Sequence, residues 1–381
     1  MIRCLRMLVL GLFGMVQMTS AAEGPEKLRV YIGSYSSPTS LGIYLSELDL
    51  ATGALTDAKL AGKVVSPSFL AIHPTRKFLY AVSEISNRDG KKTGGVSAFA
   101  IAPASGELTL LNAESSEGAG PCHVSVDPAG KNVLVANYGG GSVASYHLGD
   151  DGKLSPAVSA IQHQGSSVNP QRQKEPHAHS FNFDLQGKYA FAADLGLDQV
   201  LIYQVDGATG KLTPNDPPFV KVAPGAGPRH FAFHPSGKYA YVINEMGNTV
   251  TAFAYDGGQG RLTEMQTIST LPANYQEVSH TAEVVVHPSG KFVYGSNRGH
   301  DSLAVYSVED ATGKLTLLEI APTGGKTPRN FNVDPTGQFV LVGNQDDDTI
   351  SVHRIGPDGN LKLLRNDVRA PKPVCIKFVA P

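Results

Sequence analysis

A short polar turn, His-Pro-Ser-Gly-Lys or a close variant, recurs along the chain and constrains its fold more than any other feature. It stands at His73-Pro74, Asp127-Pro128, Asp184-Leu185, His234-Pro235, His287-Pro288 and Asp334-Pro335. The spacing is about 45 to 57 residues, the period of propeller repeats. Proline presets φ and glycine accepts positive φ, so each turn reads as a hairpin between alternating apolar segments. After each turn comes a second strand: FLYAVSE, NVLVANY, YAFAADL, YAYVINE, FVYGSNR and FVLVGNQ. The N-terminal LRVYIGSY belongs to the same set and makes seven. A third strand and a Gly-x-Leu turn follow, the latter seven times from Gly53-Leu55 to Gly359-Leu361.

The two ends complement each other. The chain opens on a second strand with no first strand before it, and closes on PVCIKFVAP, a first strand with no second strand after it. Pairing the two satisfies backbone groups that both would otherwise expose. The expected fold is all-β: a seven-bladed β-propeller of four-stranded antiparallel blades, with the C-terminal strand closing the N-terminal blade. Helix signals are scarce beside 41 Gly and 25 Pro, in keeping with many short strands and turns. A net charge of −2 argues against a nucleic-acid or anionic-membrane surface.

Residues 1–22 read differently. Arg3 and Arg6 precede an apolar run from Met7 to Val16, and Ser20-Ala21-Ala22 offers small residues for cleavage before Glu23. That is the form of a signal peptide, too short for a comfortable membrane span. The expected product is an exported protein, periplasmic or secreted, with residues 23–381 as one propeller domain and no membrane contact after cleavage. Only Cys122 and Cys375 remain in it, and free buried thiols are expected.

Antiparallel strands reverse direction, so first-strand starts and second-strand ends share one face of the disc beside the central channel. That mouth is the default ligand site. The first-strand starts read Ser68, Cys122, His179, Arg229, Ala282 and Arg329, flanked by His123, His177, His230, His280, Glu283 and Asn330. The second-strand ends include Tyr35, Glu84, Tyr138, Asp194, Glu245, Arg298 and Gln345. Blades four to seven concentrate His, Arg and Glu, which a repeat serving structure alone does not require. The long connection Gln162–Ser180 crosses the same face and ends in His177-Ala178-His179. A metal pair at this His-x-His lacks further ligands at recognisable spacing, so no metal or other cofactor is expected. His73, His234 and His287 belong to opposite-face turns, and the repeated Asn137, Asn244, Asn297 and Asn344 read as turn caps.

These residues resemble the lactonase family of seven-bladed propellers, which includes 6-phosphogluconolactonase and the fungal carboxymuconate cyclase. The resemblance runs from about Val30 to Phe378 and rests on VYIGSY with GIYLSELD, GPCHVSVDPAGKNVLVANYGGGSV, PHAHS, GAGPRHFAFHPSGKYAYVINE and TPRNFNVDPTG. It implies a metal-free cleft at one mouth that opens or closes lactones with a His, two Arg and a Glu. Carried over, these are His177 or His179, Arg229, Arg298 or Arg329, and Glu245. One departure is SHTAEVVVHP, where Trp is absent and Glu283 takes the acid position. The implied function is hydrolysis of a sugar lactone such as 6-phosphogluconolactone. The alternatives are a muconate-type lactonizing cycloisomerase and a non-catalytic secreted binding propeller.

In the hydrolase reading, Glu245 or a histidine of the 177/179 pair is the general base. Arg229 supports the oxyanion. Arg298, Arg329, Tyr138, His123 and Glu283 bind substrate, with the arginines suited to a phosphate or carboxylate. The expected partner is a small anionic lactone, and the expected state is a monomer.

Overall fold

The alternation of apolar and polar residues between Gly and Pro turns produces seven four-stranded antiparallel sheets in the computed structural model, which describes residues 1–2 and 26–380. Residues 3–22 of the stretch read as a signal peptide lie outside the described residues. Blade 1 joins the C-terminal strand Pro373–Val379 to Lys27–Ser34, Gly42–Asp49 and Lys59–Lys63. Its closing register pairs Arg29 with Val379 and Gly33 with Cys375, as the complementary ends require. Blades 2 to 7 begin with Leu70–Ile72, Pro121–Val126, Ala178–Phe183, Pro228–Phe233, His280–Val286 and Pro328–Val333. No α-helix occurs among the described residues. Both Cys122 and Cys375 are buried free thiols.

Apolar cores lie between neighbouring blades. Phe191 and Val200 of blade 4 pack with Val242 and Phe253 of blade 5, and Tyr241 of blade 5 packs with Val284 and Tyr306 of blade 6. Polar staples fix the blades in register. The second-strand tyrosines Tyr31, Tyr80, Tyr241 and Tyr294 donate their hydroxyls to the carbonyls of Gly106, Gly152, Gly313 and Gly359 in the next blade's Gly-x-Leu turn. Gly313 takes φ 68°, and a Cβ there would meet Tyr239 Cγ at 2.4 Å, so only glycine fits. Replacing Tyr241 by phenylalanine removes one staple and strands a buried carbonyl. About 1–3 kcal/mol of stability should be lost. The urea midpoint should fall with m unchanged, and an unmoved midpoint would show that the staple contributes nothing.

The turn histidines staple the opposite face. Nδ1 of His73, His234 and His287 accepts the backbone N–H of Thr75, Ser236 and Ser289. The ring proton is therefore on Nε2, which donates to Gly130, Gly290 and Gly337 of the following blade. The repeated asparagines cap mouth turns as expected. Asn137, Asn297 and Asn344 donate to Ser142, Ser302 and Thr349, and Asn244 donates to Thr249 and Thr251.

Candidate active site

The first strands slip register near their starts, and the slip decides which side chains enter the channel. In blades 3, 4, 5 and 7 one residue has no partner on the second strand: Cys122, His179, Arg229 and Arg329. Val374 is the equivalent in the closing strand. Such bulges re-aim a side chain out of the alternating pattern. All five line one inner void at the mouth. The void continues outward into a cavity of ≈ 320 Å³ whose walls include Tyr138, Arg172, Glu245 and Arg298.

Glu245 is the hub of the outer cavity. Its Oε1 accepts from Arg172 at 2.8 Å, and its Oε2 meets Arg298 at 2.9 Å and Arg229 Nε at 3.0 Å. Burial alone would raise its carboxyl, but Arg298, Arg229 and Arg172 together hold it far below the usual carboxylate range. Both oxygens are occupied by guanidiniums, which argues against the general-base role expected of Glu245. Glu245 instead arranges three guanidiniums. Arg172 was not singled out in the sequence. Its only signal is its place in the long connection across this face, from which it also donates to Tyr138 Oη at 3.1 Å.

Arg329 differs from the other three arginines. It makes no ion pair among the described residues and lies over the Tyr35 ring at 5.3 Å. Beside it is a second carboxylate, Glu84, which the sequence reading placed at the mouth but gave no role. Glu84 accepts from Tyr35 Oη at 3.2 Å and from Ser68 Oγ. Burial pushes its carboxyl above the usual range, against the pull of Arg329, Ser68, Tyr35 and Arg229. Four guanidiniums against two carboxylates leave the mouth cavity positive and suited to an anion or a developing oxyanion.

Of the histidine pair, His179 lines both parts of the cavity. Burial, reinforced by Arg229 and His230, holds it neutral well below the ordinary imidazole value. His177 is instead stacked on Tyr138 at 4.6 Å, with Nδ1 3.0 Å from the Tyr138 carbonyl, and lines neither part. Of the two, the geometry favours His179 for contact with a ligand, while His177 supports the Tyr138 wall. Cys122 Sγ sits 3.7 Å from His179 Nδ1, but burial raises the thiol far above its usual range and keeps it protonated.

His123 and Glu283 were also expected to bind substrate at this mouth. Both line a separate cavity of ≈ 270 Å³ deeper in the channel, together with Asn330 and Lys377. The reason is the bulge. The residue after each re-aimed side chain points one level further down, so His123 follows Cys122, His230 follows Arg229 and Asn330 follows Arg329. Phe69 and His230 line both spaces and form the floor between them. His230 Nδ1 is 2.8 Å from Glu283 Oε1, whose other oxygen accepts from Asn330. No group of three or more His, Cys, Asp or Glu among the described residues could hold a metal ion.

Comparison with known proteins places these features in a family. Residues 29–378 match the family described as lactonase, 7-bladed beta-propeller. A 6-phosphogluconolactonase of Bacillus subtilis is 40% identical over 350 residues, covering 92% of this chain and 97% of that protein. A 6-phosphogluconolactonase of Formosa agariphila is 33% identical, covering 85% and 92%. The solved structure of a periplasmic gluconolactonase of Pseudomonas aeruginosa superposes with a TM-score of 0.87 at 33% identity, covering 93% of this chain and 100% of that one.

Proposed function

The chain belongs to the seven-bladed β-propeller lactonase family, and from that premise we propose that its mouth cavity hydrolyses a sugar lactone, with 6-phosphogluconolactone as the first substrate. The observation that carries this reading is the positive cavity in which four guanidiniums meet two carboxylates. Lactone opening develops negative charge on the carbonyl oxygen, and pre-aimed cations stabilise it. Arg229 and Arg329 face the inner void and are assigned to that oxygen. Arg298, Arg172 and Tyr138 wall the outer part and are assigned to the rest of the lactone. His179, held neutral, offers a hydrogen bond to the reacting end.

One observation favours an unphosphorylated gluconolactone as the second candidate. Three of the four guanidiniums are already held by Glu245, which leaves Arg329 alone to meet a ligand charge. The name of the Pseudomonas aeruginosa neighbour points the same way. The residues Arg3, Arg6 and Met7–Val16, with Ser20-Ala21-Ala22, support export of the mature chain from the cytoplasm. A monomer is part of the same reading.

The test follows lactone disappearance above the spontaneous rate, with residues 23–381 and the two lactones in parallel. Turnover of the phosphorylated lactone with the higher kcat/KM is the expected result. A preference for the unphosphorylated lactone would transfer the assignment to it. Turnover of neither would remove both substrates.

A further inference from the structure

We propose that the inner void seats the hydrolytic water between the Glu84 carboxylate and His230 Nε2, and that Glu84 is the general base of the reaction. The proposal rests on the lactonase reading for the chemistry and on the void itself for the water. The void measures ≈ 10 Å³, about the space for one water centre. His230 and Glu84 both line it.

The two groups ask for the same donor. His230 Nδ1 faces the Glu283 carboxylate at 2.8 Å, so the ring proton is on Nδ1 and Nε2 is a bare acceptor. That Nε2 is buried and makes no hydrogen bond among the described residues. Burial keeps the ring neutral, with a pKa down to about 4, although Glu283 pulls it upward. A buried acceptor without a donor is costly, and a water supplies one. Glu84 is a second acceptor, engaged among the described residues only by the neutral hydroxyls of Tyr35 and Ser68. A water donating to both is left with its lone pairs for the outer cavity.

The two mouth carboxylates have opposite basicity. Glu245 is drained of it by three guanidiniums, whereas burial raises Glu84. Such a divided pair separates the electrostatic role from the proton-transfer role. The groups acting on Glu84 are Tyr35 and Ser68 by hydrogen bond and Arg329 and Arg229 by charge. His179, His230 and the protonated Cys122 complete the ionisable lining of the void.

The chemistry balances. The water oxygen attacks the lactone carbonyl carbon as one of its protons passes to Glu84. The carbonyl π pair moves to oxygen beside Arg329. On collapse the ring C–O bond breaks, and the proton on Glu84 passes to the departing ring oxygen. The products are the hydroxyl and a carboxylic acid that ionises in solvent.

The test uses the mature chain, residues 23–381. With wild-type turnover established, Glu84→Gln should lower kcat by about 10²–10⁴-fold with KM little changed. Ser68→Ala keeps the carboxylate and removes a hydrogen bond to its charged form. The acid limb of its kcat/KM profile should move to higher pH. Wild-type turnover with Glu84→Gln within a few-fold, or an unmoved limb in Ser68→Ala, overturns the base assignment and leaves the lactonase reading intact. A crystal structure of the wild-type protein without lactone reads the water independently of any substrate. Density within hydrogen-bond reach of both Glu84 and His230 Nε2 supports the proposal, and its absence overturns it.

Discussion

Glu245→Gln is expected to lower turnover by about a hundredfold and to lower the unfolding midpoint at neutral pH. The carboxylate is buried and shared by Arg172, Arg229 and Arg298. An amide of the same shape leaves three guanidiniums facing one another without a counter-charge. Breaking a buried pair by removing one partner costs about 3–5 kcal/mol. The guanidiniums should then move apart, and small misplacements of positioning groups cost about a hundredfold in rate. The pH dependence gives an independent signature. The folded-state pKa of Glu245 lies below its ordinary value of 4.5. Its contribution to stability is therefore fully present above about pH 4.5 and is lost as pH falls below that through the native value. Urea unfolding at pH 7 and at pH 4 should show the wild type losing part of this contribution, and Glu245→Gln should lack that part of the slope. A variant with full stability and lost kcat would instead return Glu245 to the role of base.

The seven blades and their closure were legible because a Pro-Gly turn, a two-residue side-chain period and the Gly-x-Leu turn are local features. The unmatched first and last strands needed only each other. The ring of channel-facing residues was also legible by aligning repeats: Ser68, Cys122, His179, Arg229 and Arg329 all line the inner void. What alignment could not show is the effect of the bulge. It places His179 in the cavity while His177 stacks on Tyr138, and it sends His123 one level down the channel, where Glu283 also lies. Arg172 was hidden for another reason. It reaches Glu245 from a connection that follows no repeat, across a sequence separation of 73 residues. Glu84 was read as one strand end among seven. Its distinction from Glu245 lies in the number of cations around each carboxylate, which depends on side chains from several blades.

Arg329→Met is expected to leave the fold stable and to lower kcat/KM by about 10²–10³-fold, the loss typical of one oxyanion donor. The contrast with its neighbours motivates the choice. Arg229 donates to Glu245 and to the Ala282 carbonyl, and Arg298 donates to the Thr281 carbonyl as well as pairing with Glu245. Removing either disturbs the framework as well as the chemistry. Among the described residues Arg329 makes no ion pair and overlies Tyr35, so an unbranched apolar side chain can take its place without breaking a direct ion pair. Its charge nevertheless acts on Glu84, where it is the largest influence opposing burial. Without it the Glu84 carboxyl should rise further, and the acid limb of the kcat/KM profile should move to higher pH. The rate loss and the shifted limb are separable, because the oxyanion contribution is missing at every pH while the shift vanishes on the plateau. Thermal unfolding and a pH series on the same preparation measure both. A large fall in the melting temperature would make Arg329 a structural residue. Full activity at every pH would pass the second functional arginine to Arg298.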